Sequence, residues 1–229
     1  MIQNRTVRLF GTPDAPYLLI QPTDPRDEDG LNAQTAEIAR LANVPFCLAA
    51  FAVDWNRELS PWEAPPVFGS EPFGNGAEAL LAFLEHDLVP ALGKDARACV
   101  IGGYSLAGFF ALWAAYCSDM FQGAAAVSPS VWFPGWEEFR EDRKPKAQHI
   151  YLSLGDREER TKHPVMKRVG DAIRAQYATL LAHGTDSVLE WNPGNHFQNA
   201  DLRTAKGFAW LLQRIAESEK ENPANERNL

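Results

Sequence analysis

Positive charge is scarce in this chain. Its 22 lysines and arginines face 30 aspartates and glutamates, a formal net charge of −8 over 229 residues. No basic patch offsets that excess, which excludes nucleic acid and anionic membrane surfaces as partners. Cysteine is scarcer still. Cys47, Cys99 and Cys117 lie in apolar surroundings and form no CxxC pair. A disulfide framework and a zinc site are therefore excluded, and buried thiols are expected. No apolar run approaches the roughly 18 residues of a membrane span. The opening Met1–Phe10 has no apolar core of signal-peptide length. These absences together predict a soluble cytoplasmic protein with reduced thiols.

No internal repeat and no linker to a second domain is visible. Hydrophobic residues at 45% and charged residues at 23% are ordinary for a globular chain. Residues 1–216 are expected to form one α/β domain, and 217–229 a polar, frayed tail. Short apolar runs read as strands at Thr6–Phe10, Tyr17–Gln21, Val44–Val53, Ala98–Gly103, Gly123–Val127, Ile150–Leu154 and Ser187–Trp191. Helical spacing appears at Leu31–Ala42, Ala77–Leu92, Pro164–Ala182 and Leu202–Ala216. The first two strands, separated by Gly11–Pro16, read as strand, turn, strand, and Pro22–Gly30 as a polar loop. The alternation predicts a mostly parallel sheet with helices on both faces. Only roughly 20 residues separate the strands around Ala126 and Ile150, a loop-scale length, so no lid domain fits there. Between them, the highly charged Glu137–Lys146 is expected to be exposed.

The stretch Ala98–Trp113 stands out. It reads as an apolar strand, a glycine-bounded turn holding Ser105, and an alanine-rich helix. This is the pattern of a nucleophile elbow, in which a cramped strand-to-helix turn pushes a serine hydroxyl into the open. Gly103 lies two before Ser105 and Ala107 two after, so alanine replaces the last glycine of G-x-S-x-G. The Leu106 amide, first in the helix, would supply half of an oxyanion hole.

A serine at neutral pH needs a base, and the base needs an orienting acid. Ligand sites in parallel α/β sheets lie beyond the carboxyl ends of the strands. That restricts the five histidines sharply. His86 falls within a helix, His149 opens a strand at the wrong edge, His163 starts a helix and His183 ends one. Only His196 follows a strand's carboxyl end, in Asn192-Pro-Gly-Asn-His-Phe197. Glu158 is favoured as the acid from Gly155-Asp-Arg-Glu-Glu159, with Asp156 the alternative and Glu159 further out. The second oxyanion donor should be a backbone amide of Val53, Asp54 or Trp55, with Trp55 taken as the candidate. Trp55, Trp62, Trp132 and Trp136 all fall in loops expected at the active edge, either walling an aromatic cleft or packing the loops.

These residues resemble the α/β-hydrolase superfamily, whose triad runs in the order serine, acid, histidine. Asp54–Trp62, Gly102–Gly108, Ser153–Glu159 and Gly194–His196 are most similar to its branch of esterase D-like and siderophore-esterase-like proteins. The resemblance implies an α/β-hydrolase fold and hydrolysis of a small soluble ester through an acyl-serine. It also implies an acid a few residues after the strand-ending glycine, consistent with Glu158. No metal or organic cofactor is called for. No arginine-rich loop suited to a triply catecholate siderophore is apparent, so that substrate does not carry over. Acyl transfer or peptide cleavage by the same triad, and a non-catalytic binding module on the same fold, are the competing readings.

Overall fold

The computed structural model describes residues 1–3, 5–24 and 30–221. Seven strands form one sheet in the order β1-β3-β2-β4-β5-β6-β7. They are β1 (Val7–Gly11), β2 (Tyr17–Thr23), β3 (Cys47–Ala52), β4 (Ala98–Tyr104), β5 (Gly123–Val127), β6 (His149–Gly155) and β7 (Asp186–Asn192). All neighbours are parallel except β1, which runs antiparallel to β3. The first two strands are thus not paired with each other, because β3 lies between them. Their burial explains the arrangement. Every residue of β2 is buried, whereas β1 is largely exposed and suits only an edge.

Apolar runs without polar interruption arise because side chains on these strands alternate between two covered faces. Along β4, Ala98 and Val100 join the hydrophobic cluster on one face, while Cys99 and Ile101 join the cluster on the other. Helices α1 (Leu31–Ala42) and α8 (Ala200–Glu221) cover the first face, with Ile38, Phe208, Leu211 and Leu212 in its core. The second face is covered by α3 (Ala77–Phe83), α5 (Leu106–Cys117) and α7 (Val169–Ala182). Helix α5 is apolar all round and buried from Leu106 to Tyr116, as a helix enclosed by sheet and loops must be.

Several boundaries differ from the sequence expectation. The stretch expected as one helix from Ala77 to Leu92 has a π-helical turn at Leu84–Leu88 before α4 (Val89–Leu92). Helix α7 begins at Val169, after a short 3-10 turn at Met166–Arg168. Helix α8 runs on to Glu221, past the expected limit at Ala216, and the rest of the expected tail lies outside the described residues, as does most of the loop 22–30. The charged stretch Glu137–Lys146, expected to be exposed, starts within α6 (Trp136–Glu141), where Arg140 is buried and donates to Thr179 Oγ1. Cys47 and Cys99 are buried as expected, but Cys117 is only partly so. Among the described residues no helix is long and apolar enough to cross a membrane.

Candidate active site

Ser105 sits between β4 and α5 with φ 59° and ψ −120°, a conformation that L-residues rarely adopt. Such strain costs roughly 1–3 kcal/mol and persists only where surrounding bonds impose it. Here the Ser105 amide donates to the Val127 carbonyl at 2.9 Å, and its own carbonyl accepts from Ser130 N–H at 3.2 Å. Small residues make the turn possible. A Cβ on Gly103 would lie 2.7 Å from the Ala107 methyl, and one on Gly108 would lie 2.7 Å from the Gly103 carbonyl. Alanine at 107 is therefore accommodated because Gly103 faces it and Gly108 makes the close helix–strand approach. Gly103→Ala is expected to cost about 1–3 kcal/mol through overpacking, a drop of several degrees in a thermal melt. An unchanged melting temperature would show that the turn relaxes freely.

His196 reaches this serine from the loop after β7. Its Nε2 lies 3.0 Å from Ser105 Oγ, and its Nδ1 lies 2.8 Å from Glu158 Oε2. With Nδ1–H donating to the carboxylate, Nε2 is left as the acceptor for the serine proton. The loop is held by one local and one distant bond: Phe197 N–H donates to Asn195 Oδ1 at 2.9 Å, and the Tyr104 hydroxyl donates to the His196 carbonyl at 2.8 Å.

Residues 53–196 match the model of a family described as "Putative esterase". That segment is well over half of the chain. The chain belongs to this esterase family. No curated protein matches it in sequence. Solved structures do, at low identity. The siderophore hydrolase EstA from Aspergillus nidulans superposes with a TM-score of 0.69 at 15% identity, covering 92% of this chain and 95% of that one. The enterobactin esterase FES from Shigella flexneri, in the presence of 2,3-di-hydroxy-N-benzoyl-serine, gives 0.66 at 19% identity, covering 93% of this chain and 56% of that one. A carboxylesterase from Bacillus cereus gives 0.59 at 14% identity, covering 91% and 94%. The esterase has the α/β-hydrolase fold.

The three acids of the β6 loop have separate tasks in the esterase. Glu158 has no exposed side-chain surface. Its Oε1 accepts from Ser128 Oγ at 2.7 Å, Gly155 N–H at 2.7 Å and Arg203 Nη1 at 3.0 Å. Burial alone would raise its carboxyl pKa. The hydrogen bond and charge of His196, with the Ser128 hydroxyl and Gly155 amide, outweigh that and hold it below the usual carboxylate range. Asp156 instead accepts from Gly194 N–H at 2.9 Å, fastening the His196 loop, while Glu159 pairs with Arg174. Two other histidines are elsewhere: His149 Nδ1 lies 2.7 Å from Asp186 Oδ2, and the His163 ring lies tilted against Phe68 with centroids 5.0 Å apart.

Of the three amides considered for the oxyanion, two are committed. Val53 N–H donates to the Thr23 carbonyl at 3.2 Å, and Asp54 N–H to Glu58 Oε2 at 2.7 Å. Trp55 opens the short helix α2 (Trp55–Glu58), so like Leu106 it has an amide with no carbonyl one turn behind it.

The four tryptophans separate on burial. Trp136 is only 1% exposed and packs on Phe109, Tyr116 and Phe139, with Nε1 donating to Gln176 Oε1. Packed into the core, it also borders the cavity that Trp132 lines. Trp62 ties two loops together by donating to the Pro134 carbonyl at 2.6 Å and packing on Phe133 and Phe139. Trp55, Trp62 and Trp132 are all partly exposed, and Trp132 lines a cavity of about 610 Å³ with Trp136, Glu137, Val165, Arg168 and Asp171. Phe68 and Phe197, at 52% and 91% exposure, add apolar surface that the tryptophan pattern does not reveal. Among the described residues no group of three or more His, Cys, Asp or Glu side chains could hold a metal ion.

Sequence reasoning also missed Ser128, Tyr104 and Arg203. Arg203 had a legible signal: it occupies a core-facing position in the stripe Arg203, Thr204, Gly207, Phe208, Leu211 of α8. A charge at such a position is rarely left unpaired.

Proposed function

We propose that this esterase is a serine hydrolase that cleaves small, soluble carboxylic esters through an acyl-serine intermediate. The observation that carries the reading is the continuous relay Ser105 Oγ, His196 Nε2, His196 Nδ1 and Glu158 Oε2, with contacts of 3.0 and 2.8 Å. As Oγ attacks the ester carbonyl, its proton passes to Nε2, and Glu158 supports the resulting imidazolium. The amides of Leu106 and Trp55 receive the charge that develops on the carbonyl oxygen. Collapse expels the alcohol, protonated by His196. A water then gives up a proton to His196 and attacks the acyl carbon; the C–Oγ bond breaks, His196 returns the proton to Ser105 Oγ, and the acid leaves. The His196 side chain is 21% exposed, which admits that water and favours hydrolysis over transfer to another acceptor.

The partly exposed Trp55 and Trp132 favour an ester with an apolar acyl or alcohol part. Residues 1–216 and the remainder of α8 act as one catalytic domain, since the single sheet carries every member of the relay. Three free thiols suit a reducing, cytoplasmic setting.

Labelling with a fluorophosphonate, read by mass spectrometry, tests the reading. Modification is expected at Ser105 and is expected to disappear in His196→Ala. Folded protein that resists the probe would refute an activated serine and favour a binding module.

A further inference from the structure

Arg203 is 2% exposed on the core-facing stripe of α8. A guanidinium cannot shed its charge, so burial on this scale demands partners. Its Nη1 donates to Glu158 Oε1 at 3.0 Å and to the Tyr104 hydroxyl at 2.9 Å, with Ser128 Oγ at 3.4 Å. Nη2 donates to the Pro193 carbonyl at 3.1 Å. Nε has no partner among the described residues, so the side chain is aimed with its outer nitrogens at the acid.

Those partners lie at the carboxyl ends of four strands, with Ser128 just after β5. Glu158 follows β6, Tyr104 ends β4 immediately before Ser105, and Pro193 begins the loop that carries His196. Tyr104 continues the chain by donating to the His196 carbonyl at 2.8 Å. One side chain from a helix that contributes nothing to the reacting atoms thus ties together the supports of all three relay members.

We propose that Arg203 is a positioning residue of the esterase, fixing Glu158 and the His196 loop relative to Ser105. The proposal rests on the serine-hydrolase reading above. It has two consequences. The imidazole is held in line with the serine, where a displacement of about 1 Å would cost roughly a hundredfold in rate. The guanidinium charge also offsets that of the carboxylate that orients His196.

The test compares Arg203→Met, Arg203→Lys and Tyr104→Phe with the wild type, using 4-nitrophenyl acetate across pH. Rates are expressed per serine titrated by fluorophosphonate, which removes any difference in folded fraction. Arg203→Met should lower kcat by about 10- to 100-fold with little change in KM, and should move the acid limb of kcat/KM to higher pH. Arg203→Lys keeps the charge but cannot span both Glu158 and Pro193, so its kcat falls less and its acid limb stays in place. Tyr104→Phe leaves the ion pair intact and should cost a few-fold in kcat. If Arg203→Met does not fold, the lysine and phenylalanine variants decide. Wild-type kcat per titrated serine with an unshifted pH profile would overturn the proposal and leave Arg203 a structural residue. A wild-type protein that is not labelled at Ser105 would overturn the hydrolase reading itself, and this proposal with it, before any variant is compared.

Discussion

Ser105→Ala is expected to lower ester turnover by about 10⁴- to 10⁶-fold, the range in which loss of the nucleophile removes covalent catalysis. Among the described residues no other hydroxyl bonds His196 Nε2, so nothing stands in for the missing oxygen. Residual rate would come from the oxyanion donors and from binding alone. The fold should survive. Alanine meets the same strain at φ 59° as serine does, and the bonds that impose the turn are backbone bonds to Val127 and Ser130. The partly exposed His196 can take water in place of Oγ, so the melting temperature should stay near the wild-type value. Turnover of 4-nitrophenyl acetate above a few per cent of wild type, in protein free of wild-type contamination, would sink the mechanism.

Glu158→Gln should cost about 10³- to 10⁴-fold in kcat, whereas Asp156→Asn should change it only a few-fold. Glutamine can no longer stabilise imidazolium, and its amide can turn a donor toward Nδ1, favouring the wrong tautomer. It also strands the buried Arg203, a loss of the kind that costs about 3–5 kcal/mol in stability. Asparagine at 156 still offers an acceptor to Gly194 N–H, and Asp156 is about half exposed, so little is lost. Comparable losses in the two variants would mean that neither acid orients His196 alone.

The same substitution has a pH signature. The Glu158 carboxyl is held below its usual value of about 4.5 in the fold, so the unfolded chain binds more protons over the acid range. Its contribution to stability is complete above that usual value and is lost as pH falls through the lowered, folded one. Urea melts between about pH 3 and 6 should therefore show a smaller loss of stability on acidification in Glu158→Gln. An identical slope in both proteins would contradict the linkage.

What the chain by itself determined is local. Uninterrupted apolar runs such as Gly123–Val127 imply strands covered on both faces, whatever lies on them. Gly103, Ser105 and Gly108 lie within one turn of each other, so the elbow is written in consecutive residues. His196 could be singled out because a strand's carboxyl end is a property of its own neighbourhood. For the acid the sequence supports only a preference for Glu158: Asp156 and Glu158 stand two residues apart, and only their spacing from a loop 38 residues later separates them. The tryptophans show the same limit. A loop tryptophan reads alike whether it walls a cleft or, like Trp136, enters the core, because that depends on which helix of another segment packs beside it. Arg203 was marked by its place in an apolar stripe, but its partners Tyr104, Glu158 and Pro193 were not. Contacts across such stretches of chain are set by sheet order and register, which place three loops at one edge only after the core has closed. The sequence carries the parts; the tertiary structure chooses the partners, since hydrogen bonds of about 3 Å depend on positions that no local pattern specifies.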